Sequence, residues 1–197
     1  IFPPNSTWNQ NATTFANQSQ IGTIPWALYI DTNNSIYTIH RQNGRILIWM
    51  NNSNDTNLIL YTQLSLAAFS IFVTTNGQIY VGDNRTIKSN SYSNQTISIA
   101  NVSDSCFGLF IDINNTLYCS INSQHKVVKK WLNDSSSTMT TVAGTGSASS
   151  ASNMLKYPCG IFVDTNFDLY VADQWNNRIQ LFRLGQINGT TVAGSTS

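Results

Sequence analysis

Apolar and polar positions along this chain follow a scheme that comes round four times. Tyr29-Ile30-Asp31, Phe72-Val73-Thr74, Phe110-Ile111-Asp112 and Phe162-Val163-Asp164 each set an aromatic, a β-branched and a small polar residue in succession. In every copy an aliphatic-Tyr pair starts five residues past the polar one: Ile36-Tyr37, Ile79-Tyr80, Leu117-Tyr118 and Leu169-Tyr170. The copies are offset by 43, 38 and 52 residues. A constant internal spacing inside a variable period is one supersecondary unit repeated, with loops absorbing the differences.

Each unit reads as four short strands. The first runs Trp26–Asp31, Phe69–Thr74, Phe107–Asp112 and Cys159–Asp164, apolar at nearly every position, so both of its faces are expected to be buried. Its second column is always small (Ala27, Ser70, Gly108, Gly160), as needed where another backbone comes close. Asn33-Asn34, Asn76-Gly77 and Asn114-Asn115 supply turn residues that tolerate positive φ. Eight residues after the Tyr, Arg45, Lys126 and Arg178 open a third strand. Leu58–Tyr61, Thr96–Ile99, Thr140–Gly144 and Thr190–Gly194 close each unit. Four strands in 40 to 50 residues without helical periodicity make a propeller blade, so the fold class is all-β. The expected division is 1–22 as an N-terminal segment, then blades at 23–64, 65–103, 104–147 and 148–197. Asn11–Asn17 resembles the closing strand at Asn188–Gly194 and predicts an orphan outer strand.

Pro158–Asp164, followed by Leu169–Asp173 and Asn176–Gln180, resembles an NHL repeat, and the likeness extends over residues 23–194. The resemblance implies four-stranded blades stacked in a β-propeller, most often of six blades. Four blades and a spare strand depart from that pattern. An incomplete ring exposes apolar faces on its terminal blades, which predicts a protein partner, further copies of the same chain included.

Composition narrows the function. Charged residues are 10% of the chain, against roughly 25% in typical globular proteins. The net charge is +1 and the nine acidic residues are all Asp, which removes any electrostatic case for nucleic acid or an anionic membrane. Lys126, Lys129 and Lys130 beside Trp131 are too slight a cluster to restore one. Asn is plentiful instead: 12 of 25 begin an Asn-X-Ser/Thr acceptor, about twice the chance expectation. These are Asn5, Asn11, Asn17, Asn33, Asn51, Asn54, Asn84, Asn94, Asn101, Asn114, Asn133 and Asn188. They predict a secreted, extracellular, N-glycosylated protein, with glycans at turn tips and outer rims where they hydrate a surface poor in charge. No apolar run is long enough to span a membrane. The start at Ile1 reads as a processed or trimmed segment.

Three cysteines leave one thiol over whichever pair forms a disulfide. If the third hairpin is centred like the fourth, Cys119 faces Phe110 and stands about 13 Å along the strand from Cys106, too far unless the strand start curls. A Cys119–Cys159 bridge between blades remains open, so the pair is two of Cys106, Cys119 and Cys159.

Catalytic chemistry finds little support. His40 and His125 occupy non-equivalent places in their blades and, without any Glu, make a poor metal set. The Asp31, Asp112, Asp164 and Arg45, Lys126, Arg178 columns recur once per blade, which marks them as structural. No nucleophile elbow is present. The expected function is a structural or interaction protein with no catalytic residues, metal or cofactor, able to assemble with itself. Two alternatives stand beside it: a truncated catalytic propeller resembling amidating lyases or lactonases, and a module recognising a peptide or glycan.

Overall fold

In the computed structural model, residues 11–50, 58–61, 63–90, 96–134 and 138–194 are described. Among the described residues, sixteen strands form four separate antiparallel sheets, each built from four consecutive strands in chain order. Blade 1 holds Leu28–Ile30 (β1), Ile36–His40 (β2), Arg45–Trp49 (β3) and Leu58–Tyr61 (β4). Blade 2 holds Ala68–Val73 (β5), Ile79–Asp83 (β6), Thr86–Asn90 (β7) and Thr96–Asn101 (β8). Blade 3 holds Cys106–Ile111 (β9), Thr116–Ile121 (β10), Lys126–Trp131 (β11) and Thr140–Ala143 (β12). Blade 4 holds Pro158–Val163 (β13), Leu169–Asp173 (β14), Arg178–Phe182 (β15) and Thr190–Gly194 (β16). The arrangement is a four-bladed β-propeller.

The recurring polar residue sets the first hairpin of each blade. Asp31 Oδ1 accepts the N–H groups of Asn33 and Ser35 at 2.9 and 2.8 Å, and the Tyr37 hydroxyl donates to Oδ2 at 2.9 Å. Asp112 repeats this with Asn114, Thr116 and Tyr118, and Asp164 accepts from Asn166 and Asp168. Thr74 substitutes its hydroxyl, which accepts the Gln78 N–H at 3.1 Å. The Asp–Tyr spacing is therefore a turn clamp whose carboxylate also holds the second strand. Burial, then the adjacent Asp112 charge, pushes the Tyr118 hydroxyl pKa well above its ordinary value.

Side-chain alternation divides every blade into two faces. The first aromatic of each blade points towards the next blade, and its two aliphatic neighbours point back to the previous one. Ile71 and Val73 of blade 2 thus pack with Tyr37, Ile39, Ile46 and Ile48 of blade 1. Leu109 and Ile111 of blade 3 join Ile87 of blade 2, and Val163 of blade 4 joins Tyr118 and Val127 of blade 3. Burying each Ile, Leu or Phe contributes about 1.5–3 kcal/mol, so the interfaces between sheets hold the stack together. An aromatic column runs through them: Tyr29 to Phe72, Phe72 to Phe110 and Phe110 to Phe162, with centroids 5.1, 5.1 and 5.2 Å apart.

The first strand is enclosed only in the inner blades, where Phe69, Phe72, Phe107 and Phe110 are half-buried and the other positions buried. Leu28 and Ile30, the blade 1 equivalents of Ile71 and Val73, are 68% and 55% exposed, and Phe162 is 53% exposed. Among the described residues no core cluster joins blade 4 to blade 1, so the stack is open.

The orphan outer strand expected at 11–17 is not formed. Asn17 instead caps a single helical turn, Gln18–Ile21 (α1), accepting the Ser19 N–H at 3.0 Å while Gln20 accepts the Asn17 N–H at 2.9 Å. An Asn with a Gln three residues on is a capping box, and this local pairing prevails over the resemblance to a strand.

The third hairpin also differs from expectation. Tyr118, not Cys119, faces Phe110, and Cys119 faces Leu109. A bulge then brings Ile121 opposite Cys106, skipping Phe107. The curled strand start sets the Cα atoms of Cys106 and Cys119 5.5 Å apart, and the two form the disulfide, leaving Cys159 free.

Candidate functional site

Blade 4 presents its unused face to solvent. Phe162, Tyr170, Ala172 and Ile179 lie on the side that in blade 3 is covered by the next blade, and beside them Cys159, Gln174 and Ala193 border a shallow cavity of about 310 Å³. Gly108 and Gly160 occupy the same column, and their surroundings differ sharply. A Cβ on Gly108 would stand 2.3 Å from the Cys159 carbonyl oxygen of the following blade; a Cβ on Gly160 would meet nothing within 4 Å. The vacant space beside Gly160 is where a following blade would pack.

The outward face of blade 1 is partly covered by the N-terminal segment. Phe15 meets Trp49 edge-on with 5.7 Å between centroids, and a cleft of about 420 Å³ remains among Ile21, Leu28, Ile30, Ile36 and Trp49. Trp49 is 2% exposed, and its indole N–H has no hydrogen-bond partner. No charged residue lines the blade 1 cleft, and Arg178, beside the blade 4 cavity, is buried and bound to Asp173 at 2.8 Å.

At the start of the innermost strands, Trp26, Phe69 and Phe107 form a cluster in which Trp26 also meets Phe107 at 6.0 Å. Phe69 stacks on Phe107 at 4.4 Å, and Trp26 meets Phe69 at 5.5 Å. The Arg41 guanidinium lies 4.6 Å over Phe69, anchored by Arg41 Nε donating to the Leu66 carbonyl at 2.6 Å. Cys159 holds the corresponding position in blade 4. Its thiol donates to Gln174 Oε1 at 3.0 Å, and burial, partly offset by a hydrogen bond from Asn122, raises its pKa, so it is a poor nucleophile.

The two histidines stay apart. His40 ends β2 in blade 1, whereas His125 in blade 3 adopts φ 52° and accepts the Tyr157 N–H at 3.2 Å. No three His, Cys, Asp or Glu side chains converge as metal ligands among the described residues. The basic column is put to structural use at Arg178, which also donates to the carbonyls of Ser150, Ala151 and Met154 and so pins the long connection between blades 3 and 4. Blade 2 has a similar pair that sequence reading missed, Lys88 with Asp83 at 2.6 Å.

Eight acceptor asparagines lie within the described residues, and all are exposed: Asn11, Asn17, Asn33, Asn84, Asn101, Asn114, Asn133 and Asn188. Asn33 and Asn114 occupy equivalent turns after Asp31 and Asp112, and Asn84 adopts φ 55° in the β6–β7 hairpin. Asn5, Asn51, Asn54 and Asn94 lie outside the described residues. No described helix is long and apolar enough to cross a membrane.

No protein-family model matches this chain, and no curated protein is similar to it. Solved structures do share its fold. Virginiamycin B lyase from Staphylococcus aureus is 11% identical with a TM-score of 0.63, covering 85% of this chain and 54% of its own. An auxiliary nutrient binding protein from Bacteroides thetaiotaomicron is 16% identical with a TM-score of 0.69, covering 86% and 47%. A nidogen/laminin complex matches at 18% identity and a TM-score of 0.65, covering 80% and 58%. The chain therefore spans about half the length of the structures it matches. At these identities the likeness shows the propeller fold, which hosts a lyase, a nutrient binder and a protein-binding module alike.

Proposed function

We propose that this chain is a secreted, N-glycosylated, non-enzymatic propeller of the NHL type, and that it works as a structural or interaction protein through the open flank of blade 4. The observation that carries this reading is the contrast between Gly108, crowded by a neighbouring blade, and Gly160, which faces empty space beside an exposed Phe162. An uncharged apolar surface of this kind marks a contact site. None of the described acceptor asparagines belongs to β13, β14 or β15. Glycans elsewhere would hydrate a chain poor in charge and direct contacts to the bare flank. The disulfide fits an oxidising compartment.

The reading is tested with an apolar dye, anilinonaphthalene sulfonate, on dilute protein. Phe162→Asp is expected to remove most of the bound-dye fluorescence with the fold retained by circular dichroism. Unchanged fluorescence overturns the role given to this flank.

A further inference from the structure

We propose that the occupant of the blade 4 flank is a second copy of this chain, docked head-to-tail through the outward face of its blade 1. The inference rests on the interaction reading above and names its partner. Three observations carry it, beginning with direction. Within the chain, the face bearing the first aromatic always packs on the aliphatic face of the following blade, as Tyr29, Phe72 and Phe110 do in turn. The two faces left over are one of each kind. Blade 4 offers the aromatic face with Phe162; blade 1 offers the aliphatic face with Leu28 and Ile30. A contact between such unlike patches is heterologous, and it continues the interface used three times already.

Fit at the backbone is the second observation. Gly108 is closed over by the Cys159 carbonyl, and Cys159 corresponds in the repeat to Trp26. The carbonyl of a second copy's Trp26 would therefore cover Gly160, whose surroundings are vacant. Third, the cleft on blade 1 has room for an aromatic ring. Its floor is Trp49, and the equivalent residue of blade 4, Phe182, packs in the same cluster as Tyr118 of blade 3. Tyr170, which corresponds to Tyr118, is half-buried beside Phe162 on the blade 4 flank, on the face that would make the same contact with a second copy's Trp49. Phe15, 42% exposed over Trp49, is the group that would give way.

This register sets Cys159 of one copy beside Trp26 of the next, at the repeat position whose Trp26, Phe69 and Phe107 rings pack within 4.4, 5.5 and 6.0 Å of one another inside the chain. The experiment places a cysteine there. Under mild oxidation with oxidised glutathione, Trp26→Cys is expected to give a disulfide-linked species with native Cys159, absent in the wild type and in the Trp26→Cys/Cys159→Ser double variant. Light scattering on the wild type, over about a hundredfold range of concentration, is expected to show the mass rising to at least twice the monomer's. Phe162→Asp should weaken that association by about tenfold or more. A wild type that stays monomeric, or that associates with no Trp26→Cys cross-link, overturns the proposal. If the dye binds the flank and the protein stays monomeric, the flank serves another partner and only this inference falls; if the dye does not bind and the protein stays monomeric, both readings fall.

Discussion

The ring of Phe110 meets that of Phe162 at 5.2 Å and 74°, the last step of a column that begins at Tyr29. One side of Phe110 is thereby closed by blade 4, whereas Phe162 has no ring beyond it and is half exposed. Removing the two rings should therefore have unequal effects. Phe110→Ala is expected to cost about 2–3 kcal/mol and Phe162→Ala less than about 1 kcal/mol, read from urea midpoints of the monomeric protein. Equal losses would mean that the flank is covered.

The two glycines of the second column give a sharper contrast. Gly108→Ala forces a methyl against the Cys159 carbonyl, and the neighbour is backbone, so blades 3 and 4 must separate slightly. A loss of about 2 kcal/mol is expected. Gly160→Ala meets open space and should be neutral within about 0.5 kcal/mol. Thermal melts of the two variants, side by side, make the comparison.

The Cys106–Cys119 bridge closes a loop of 13 residues inside one hairpin. Replacing both by Ala should lower stability by about 2–3 kcal/mol through the freer unfolded chain. Reduction should shift the wild type and leave the double variant unmoved, and a wild type insensitive to reductant would show that the thiols are unpaired.

Arg178 and Asp173 are buried and share the work of holding residues 150–156, Arg178 through the carbonyls of Ser150, Ala151 and Met154 and Asp173 through the Lys156 N–H. Asp173→Asn removes the countercharge of a buried guanidinium, at an expected cost of about 3–5 kcal/mol. Limited proteolysis should then cut first in the connection between β12 and β13.

Acid should act partly through Asp31. Burial alone would raise its pKa, but hydrogen bonds from Ser35, Tyr37 and Asn33 outweigh that and hold it below the ordinary carboxylate value. A depressed folded pKa contributes stability above the unfolded value of about 3.9, and the contribution is lost as pH falls through the folded one. Asp31→Asn is expected to flatten the loss of stability below about pH 4, measured by denaturant titrations at successive pH values.

Much of this was legible in the chain itself. The spacing from Asp31 to Tyr37 is a turn clamp because a carboxylate can accept two backbone N–H groups and one phenol only at that separation, and the same chemistry recurs at Asp112. Strand order follows from short loops between consecutive strands. The capping box at Asn17 was also written in the sequence, as Asn17-Gln18-Ser19-Gln20, but a likeness to a strand obscured it. The disulfide was not legible, because it depends on a bulge that skips Phe107, and a one-residue irregularity leaves no mark on hydrophobic periodicity.

The repeat alone determined the blades and the faces each strand would offer, since alternation in a strand is fixed by backbone geometry. Which of those faces stay bare was decided only in three dimensions. Leu28 and Ile71 look alike in sequence, yet one is exposed and the other buried, because burial belongs to the neighbour that packs on a residue and not to the residue itself.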